Sequence, residues 1–293
     1  MMKYVRFFEK VLTSFNVRLK SLAKQISKWS IRRALSEKRM TGMLAKLRKT
    51  VPDISTQEFS EKDTFDDYIE LKKRSLQAFQ CFLMLKALEK LPSGRLTVVD
   101  IGDSAGTHMR YLKKLTEGKF DVDTISVNLD ERAIEKIRRQ GLEAIHSRAE
   151  EVDLGDKEIS FFTSFQMVEH LHNPSIFFRR LAKKSKGKRM VITVPYVKKS
   201  RVGLHNIRNG FTHPIRAEEE HIFEFSPEDW SLLMLHSGWK VVHSEIYYQY
   251  PRRWVIFNPL WKVFWRTADY EGFWGVILEK DTTYSDCYQD WGE

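Results

Sequence analysis

The chain has 293 residues, 42% of them apolar and 30% charged. That is the composition of a globular protein able to bury a sizeable core, and it excludes a disordered tail, a collagen or a mini-protein. The longest apolar runs, such as residues 81–85, fall far short of the roughly 20 residues that cross a bilayer. The formal charge of +10 sits at one end: residues 1–50 carry 14 Lys and Arg against Glu9 and Glu37, leaving 35 basic and 37 acidic side chains for the rest. An electrostatic partner therefore belongs to the N-terminal arm, and the near-neutral body argues against nucleic acid. Cys81 and Cys287 make no disulfide framework, and no Cys or His cluster has zinc spacing, so a reducing, cytoplasmic setting is expected. Residues 1–10 lack an uninterrupted apolar stretch and a small-residue cleavage site, so no signal peptide is expected.

In the arm, Val5, Phe8, Leu12, Phe15, Leu19, Leu22, Ile26 and Trp29 recur at spacings of three and four, with no Pro or Gly before Gly42. The spacing predicts one long amphipathic helix. Its seam can pack on the body or pair with a second copy as a coiled coil in a homodimer. Alternatively Lys3, Arg6, Lys10, Arg18, Lys20, Lys24 and Lys28, outside the seam, can hold the arm on an anionic membrane surface at the inner face. Residues 50–62 are polar, contain Pro52 and read as a linker; helical periodicity returns from about Thr64 to Leu91 and stops at Pro92-Ser93-Gly94. The organisation expected is a basic arm over 1–50, a linker and helix over 51–91, and a folded body over 92–293.

Beyond Arg95 short apolar strands alternate with helical stretches. Strands are expected at residues 96–101, 124–129, 142–146, 159–165 and 189–194, and helices at 107–115, 131–140 and 174–184. This alternation predicts a parallel α/β sheet with right-handed crossovers. A last helix opens at Ser226-Pro227 and runs to His236, and residues 239–248 and 272–278 read as two more strands.

Residues 98–106, Val-Val-Asp-Ile-Gly-Asp-Ser-Ala-Gly, run from the first strand through a glycine turn into a helix. Glycines there let backbone approach a ligand closely, and open α/β sheets bind ligands beyond the carboxyl ends of their strands. The segment resembles the first motif of the class I S-adenosylmethionine (SAM)-dependent methyltransferases: two apolar residues, an acid, an apolar residue and a Gly-x-Gly-x-Gly turn. Ser104 replaces the middle glycine. The family's ribose-binding acid at the end of strand two falls on Asn128, which keeps an acceptor oxygen but not the charge; Asp130 follows one turn later. Residues 159–171, ending Gln166-Met167-Val168-Glu169-His170-Leu171, are similar to the fourth-strand motif of the type 11/23 subgroup with its Glu-His-Leu signature. Residues 221–230, 236–242 and 272–280 resemble that subgroup's later segments, so the resemblance spans roughly 92–280.

The resemblance implies a Rossmann-like seven-stranded sheet of order 3-2-1-4-5-7-6 with strand 7 antiparallel, here carrying an N-terminal helical extension. It implies SAM as cofactor, held by Asp100, Gly102, Asp103, Ser104, Gly106, Asn128, Leu129, Ala149, Glu150, Phe165 and Gln166. In some family members an acid three residues before Glu-His joins those two side chains on a divalent metal. Gln166 stands there, so no metal is expected.

Methyl transfer from a sulfonium is an in-line displacement, so the protein mainly positions the acceptor and, for a hydroxyl, removes its proton. His170, at the end of the fourth strand, is the first candidate for base or acceptor-orienting residue; a structural hydrogen-bonding role is the bland alternative. The second candidate is His213, in an acceptor-side insertion over about 196–220 that also carries His205, Asn206, Arg208 and Arg216, with His221 just beyond. Those residues suit a polar or anionic acceptor, a small molecule or a lipid-linked glycan methylated at oxygen, although a solvated loop has the same composition. The aromatic and cationic stretch 247–266 reads either as a stacking surface or as core aromatics beneath exposed cations. Two other readings stay open. A binding or scaffold module without turnover is motivated by Ser104, Asn128 and the absence of acids at Ser160 and Arg148; an RNA methyltransferase is motivated by the pI near 9.4 and opposed by the near-neutral body.

Overall fold

The structure is a computed structural model that describes residues 21–57, 66–89, 91, 93–216, 219–250, 259, 263 and 272–288. Helix α1 covers residues 21–37, with α2 (Thr41–Thr50) after it. The helix of the arm thus ends, beyond the seam residue Trp29, where the sequence shows neither Pro nor Gly. The cause is a left-handed residue: Arg39 takes φ 57°, its N–H donates to the Ser36 carbonyl at 3.0 Å, and the Met40 N–H donates to the Leu35 carbonyl at 2.8 Å. That pair of bonds is a Schellman cap, normally closed by glycine. Ile31, Ala34, Leu35, Met40, Leu44 and Leu47 all enter the core that the body forms. Residues 31–47 of the arm therefore pack on the body, whereas Leu22 and Trp29 of the seam are exposed; the seam over residues 1–20 lies outside the described residues. Among the described residues, no helix is long and apolar enough to cross a membrane.

Helix α3 (Asp67–Leu88) starts where the Asp66 carboxylate accepts the Tyr68 and Ile69 N–H groups, an N-cap that satisfies two otherwise orphaned donors. β1 (Gly94–Ile101), α4 (Thr107–Thr116), β2 (Phe120–Asn128), α5 (Glu131–Arg139), β3 (Glu143–His146), β4 (Phe161–Phe165), α6 (Pro174–Lys184) and β5 (Arg189–Pro195) then alternate. β2 begins four residues before the expected start because Phe120-Asp121-Val122-Asp123 alternates buried and outward positions, which a search for a continuous apolar run passes over. The short pair β6 (Arg201–Val202) and β7 (Phe223–Glu224) encloses α7 (His205–Arg208), and α8 (Pro227–His236), β8 (Trp239–Tyr247) and β9 (Phe273–Lys280) complete the chain.

Seven strands form one sheet in the order β3-β2-β1-β4-β5-β9-β8. Counted within the sheet, β8 and β9 are strands six and seven, so this is the expected order, with the seventh strand antiparallel to both neighbours. Alternate residues feed two cores. Val98, Phe161, Val191 and Ile277 pack with the arm, α3 and α4, while Val99, Phe162, Ile192 and Val276 pack with α6 and α8. Both faces are covered, as a parallel sheet requires. The aromatic stretch divides: Tyr247 and Tyr250 are buried, Tyr248 lies edge-on to Tyr196, and most of 251–271 is outside the described residues.

Candidate functional site

The carboxyl ends of β1, β2 and β4 open on a cavity of about 650 Å³. At its floor the loop after β1 turns on Gly102 (φ 91°) and Gly106 (φ 71°), conformations that L side chains rarely adopt. Space forbids a side chain as well: a Cβ on Gly102 would meet Met167 Cγ at 2.5 Å, and one on Gly106 would meet Leu142 Cδ1 at 2.5 Å. The middle position needs neither freedom, because Ser104 is not among the residues of positive φ and is exposed to the cavity. The departure from Gly-x-Gly-x-Gly is thereby accommodated.

The loop is carried by Asp103. Its Oδ1 accepts the Ala105 and Gly106 N–H groups at 3.0 and 2.7 Å, and its Oδ2 accepts the Ser126 hydroxyl at 2.7 Å. Asp100 sits behind the loop and does not line the cavity: Oδ1 accepts from Thr163 at 2.8 Å, and Oδ2 lies 3.9 Å from His108 Nδ1 without a hydrogen-bond partner. Burial, then the neighbouring Asp103, pushes the Asp100 carboxyl well above the usual carboxylate range; burial also raises Asp103. Asn128 lines the cavity but spends its amide on architecture, donating through Nδ2 to the Asp103 carbonyl at 2.9 Å and accepting the Asp130 N–H at 2.7 Å.

Of the expected cofactor residues, Gly102, Ser104, Asn128, Leu129, Ala149, Glu150, Phe165 and Gln166 line this cavity, whereas Asp100, Asp103 and Gly106 lie behind it. Sequence reasoning passed over Ser147, Arg148, Met167 and His172, which also line it. Their position just after β3 and β4 was the available signal, since ligands gather beyond strand ends. Gln166 is held in the left-handed region at φ 54°, its N–H donating to the Thr193 carbonyl at 2.8 Å and its Nε2 to Thr193 Oγ1 at 3.2 Å.

Gln166 also lines a second cavity of about 950 Å³, walled by Tyr196, Lys198, Lys199, His205, His221 and Phe273. The two cavities meet at the end of β4. There the Ile222 N–H donates to the Glu169 carbonyl at 2.9 Å, pinning the β6–β7 pair to the chain after β4 and setting the His221 ring 4.7 Å from that of His170. His170 faces the first cavity and His221 the second. Burial pushes the fully enclosed Glu169 carboxyl up to about 7. The Glu224 carboxylate raises His221 through their hydrogen bond; in return His221 and Arg201 hold Glu224 down at about 2. His213 is exposed beside Phe211 and lines neither cavity.

A glycine loop on the first strand, a cavity over the sheet's carboxyl edge and an antiparallel seventh strand together define a SAM-dependent methyltransferase of class I. The family model for the methyltransferase domain, Methyltransf_23, matches residues 58–244, and the chain belongs to that family. Among solved structures it is similar to a candidate sarcosine dimethylglycine methyltransferase from Galdieria sulphuraria, with 14% identity over 80% of this chain and 96% of that one and a TM-score of 0.54. It is also similar to the O-methyltransferase of a trans-AT polyketide synthase multienzyme from Brevibacillus brevis, crystallised with S-adenosylhomocysteine (10% identity, 74% and 76% covered, TM-score 0.50). The [4+2]-cyclase SpnF has the same fold at 12% identity, 82% and 95% covered, TM-score 0.50. At these identities the likeness is one of fold. No curated protein matches the chain.

Proposed function

We propose that the chain moves the methyl group of SAM, seated in the 650 Å³ cavity, to a hydroxyl of an anionic small-molecule or glycan-linked acceptor seated in the 950 Å³ cavity. The observation that carries this reading is the meeting of the two cavities at Gln166 and at the His170–His221 contact. A neutral cofactor half and a cationic acceptor half thereby share one wall. Lys198, Lys199 and Arg208 supply charge for a phosphate or carboxylate, while Tyr196 and Phe273 offer apolar faces to a ring. In the transfer, the hydroxyl oxygen bonds to the methyl carbon as the carbon–sulfur bond breaks and its electrons stay on sulfur; the hydroxyl proton passes to water in the open acceptor cavity. His170 orients the acceptor oxygen, its ring set by the Nδ1–H that donates to the Glu220 carbonyl at 3.0 Å. Near-attack positioning of this kind accounts for large rate factors.

The test is transfer of labelled methyl from SAM to a panel of hydroxyl acceptors, with and without a phosphate or carboxylate. His170→Ala is expected to lower turnover at least a hundredfold while calorimetric SAM affinity stays within about threefold. Methylation of neutral acceptors in preference to anionic ones would sink the charge argument, and unchanged turnover in the variant would sink the role of His170.

A further inference from the structure

Of the twelve large apolar side chains left exposed among the described residues, four lie within fourteen positions: Val202 at 46%, Ile207 at 68%, Phe211 at 49% and Ile215 at 39%. Single exposed apolar residues are ordinary, but a cluster on one excursion marks a surface that meets something apolar. We propose that residues 196–216 dock the chain on an anionic lipid bilayer, with these side chains in the headgroup boundary and the neighbouring cations on lipid phosphates.

Charge gives the first reason for that partner. Residues 196–216 hold five Lys and Arg, two His and no Asp or Glu, whereas the rest of the chain beyond residue 50 carries 30 basic and 37 acidic side chains. Lys198 and Lys199 are exposed and make no ion pair with another described residue. Cations interleaved with exposed Val, Ile and Phe are the composition of an interfacial anchor, in which the apolar groups enter the boundary and the cations sit among anionic headgroups. A protein fits this face less well, because lysine is depleted where proteins meet.

The second reason is that the exposure is built in. The Gly203 and Leu204 N–H groups donate to the Ile222 and His221 carbonyls at 3.0 and 2.8 Å. The Glu220 carboxylate, itself 9% exposed, accepts the Asn206 N–H and Nδ2 at 3.1 and 2.8 Å. Arg208 donates to the Gly203 and Val202 carbonyls, and the Phe211 N–H to the Asn206 carbonyl at 2.9 Å. These bonds keep Val202, Ile207 and Phe211 from folding back onto the body, so their apolar surface stays in water until a partner covers it. Lys198, Lys199, His205 and Arg208 of the same excursion wall the acceptor cavity, so a bilayer held at Ile207 and Phe211 lies beside that wall. One consequence rests on the function proposed above: an acceptor on a lipid anchor is methylated without leaving the bilayer.

The full chain is expected to sediment with vesicles of mixed phosphatidylglycerol and phosphatidylcholine, and to bind vesicles of phosphatidylcholine alone at least about tenfold more weakly. The double substitution Ile207→Ser with Phe211→Ser is expected to lower binding to the anionic vesicles at least about tenfold. Val242→Ser, at an exposed position of β8, should leave it unchanged. Undiminished binding in the double variant overturns the proposal and assigns the contact to the basic arm. Absence of binding to either vesicle also overturns it, in favour of an acidic protein partner. Should the double variant fail to fold by circular dichroism, hydrogen exchange in the unaltered protein decides: slowing over residues 207–216 on anionic vesicles supports the surface, and slowing that spares them overturns it. Neither SAM nor acceptor enters these measurements, so their failure strikes the docking surface and not the methyl transfer.

Discussion

At the end of β1 two buried carboxyls divide the labour. Asp103 ties two loop amides and the Ser126 hydroxyl, while Asp100 meets one hydroxyl and faces His108. Asp103→Ala is therefore expected to weaken SAM binding at least tenfold, and Asp100→Ala to weaken it less, because only the first removes the hydrogen bonds that shape the loop. Calorimetry of both variants decides, and a greater loss in Asp100→Ala would overturn the assignment. His108 carries a pH signature. Burial holds its imidazolium down at about 4, so between pH 6.5 and 4 the unfolded chain binds a proton that the folded chain refuses. The stability due to the neutral ring is complete above pH 6.5 and is lost as pH falls, by up to about 3 kcal/mol. Asp100, with its raised pKa, works in the opposite direction, so the measurement is a difference: denaturant unfolding at pH 7 and pH 5 should show a larger loss in the unaltered protein than in His108→Gln. Equal losses would mean that the ring is solvated.

Among the elements, α3 joins arm, sheet and site. It reaches the sheet at a glycine: a Cβ on Gly275 of β9 would collide with Leu83 and come within 2.8 Å of the Phe79 ring, both on α3. Gly275→Ala is expected to cost about 1–3 kcal/mol through overpacking. Gly42, in α2 with open space for 4 Å around the place a methyl would take, supplies the contrast, and Gly42→Ala should gain about 0.5–1 kcal/mol of helix propensity. Chemical denaturation of the two variants checks both signs. Gln80 of α3 reaches further, donating to Thr193 Oγ1 at 3.0 Å and meeting His108 Nε2 at 2.8 Å, so one helix braces both Gln166 and the ring behind Asp100. Arg74 anchors the other end, its guanidinium donating to the Leu47 and Val51 carbonyls and to the Tyr111 hydroxyl. No periodicity announces these contacts, because a buried polar side chain looks like an exposed one in the sequence.

Over the whole molecule, the alternation of short apolar runs and helical stretches determined the parallel sheet, since a strand buried on both faces reads as a continuous run of Val, Ile and Phe whatever its neighbours. The glycine turn after β1 and the strand-end residues Leu129, Phe165, Gln166 and His170 were legible for the same local reason: tight turns and strand ends leave marks within a few residues. The break in the arm at Arg39 left no mark, because the left-handed cap was closed by an arginine in place of glycine. The division between Asp100 and Asp103 depends on which carboxyl faces Ser126 from the neighbouring strand, and the meeting of Glu169, His170 and His221 depends on a hairpin that returns over the end of β4. Sequence alone settled what is periodic and near in the chain. Only the tertiary structure could decide which distant polar groups share a dry pocket, because that choice is made by packing across elements.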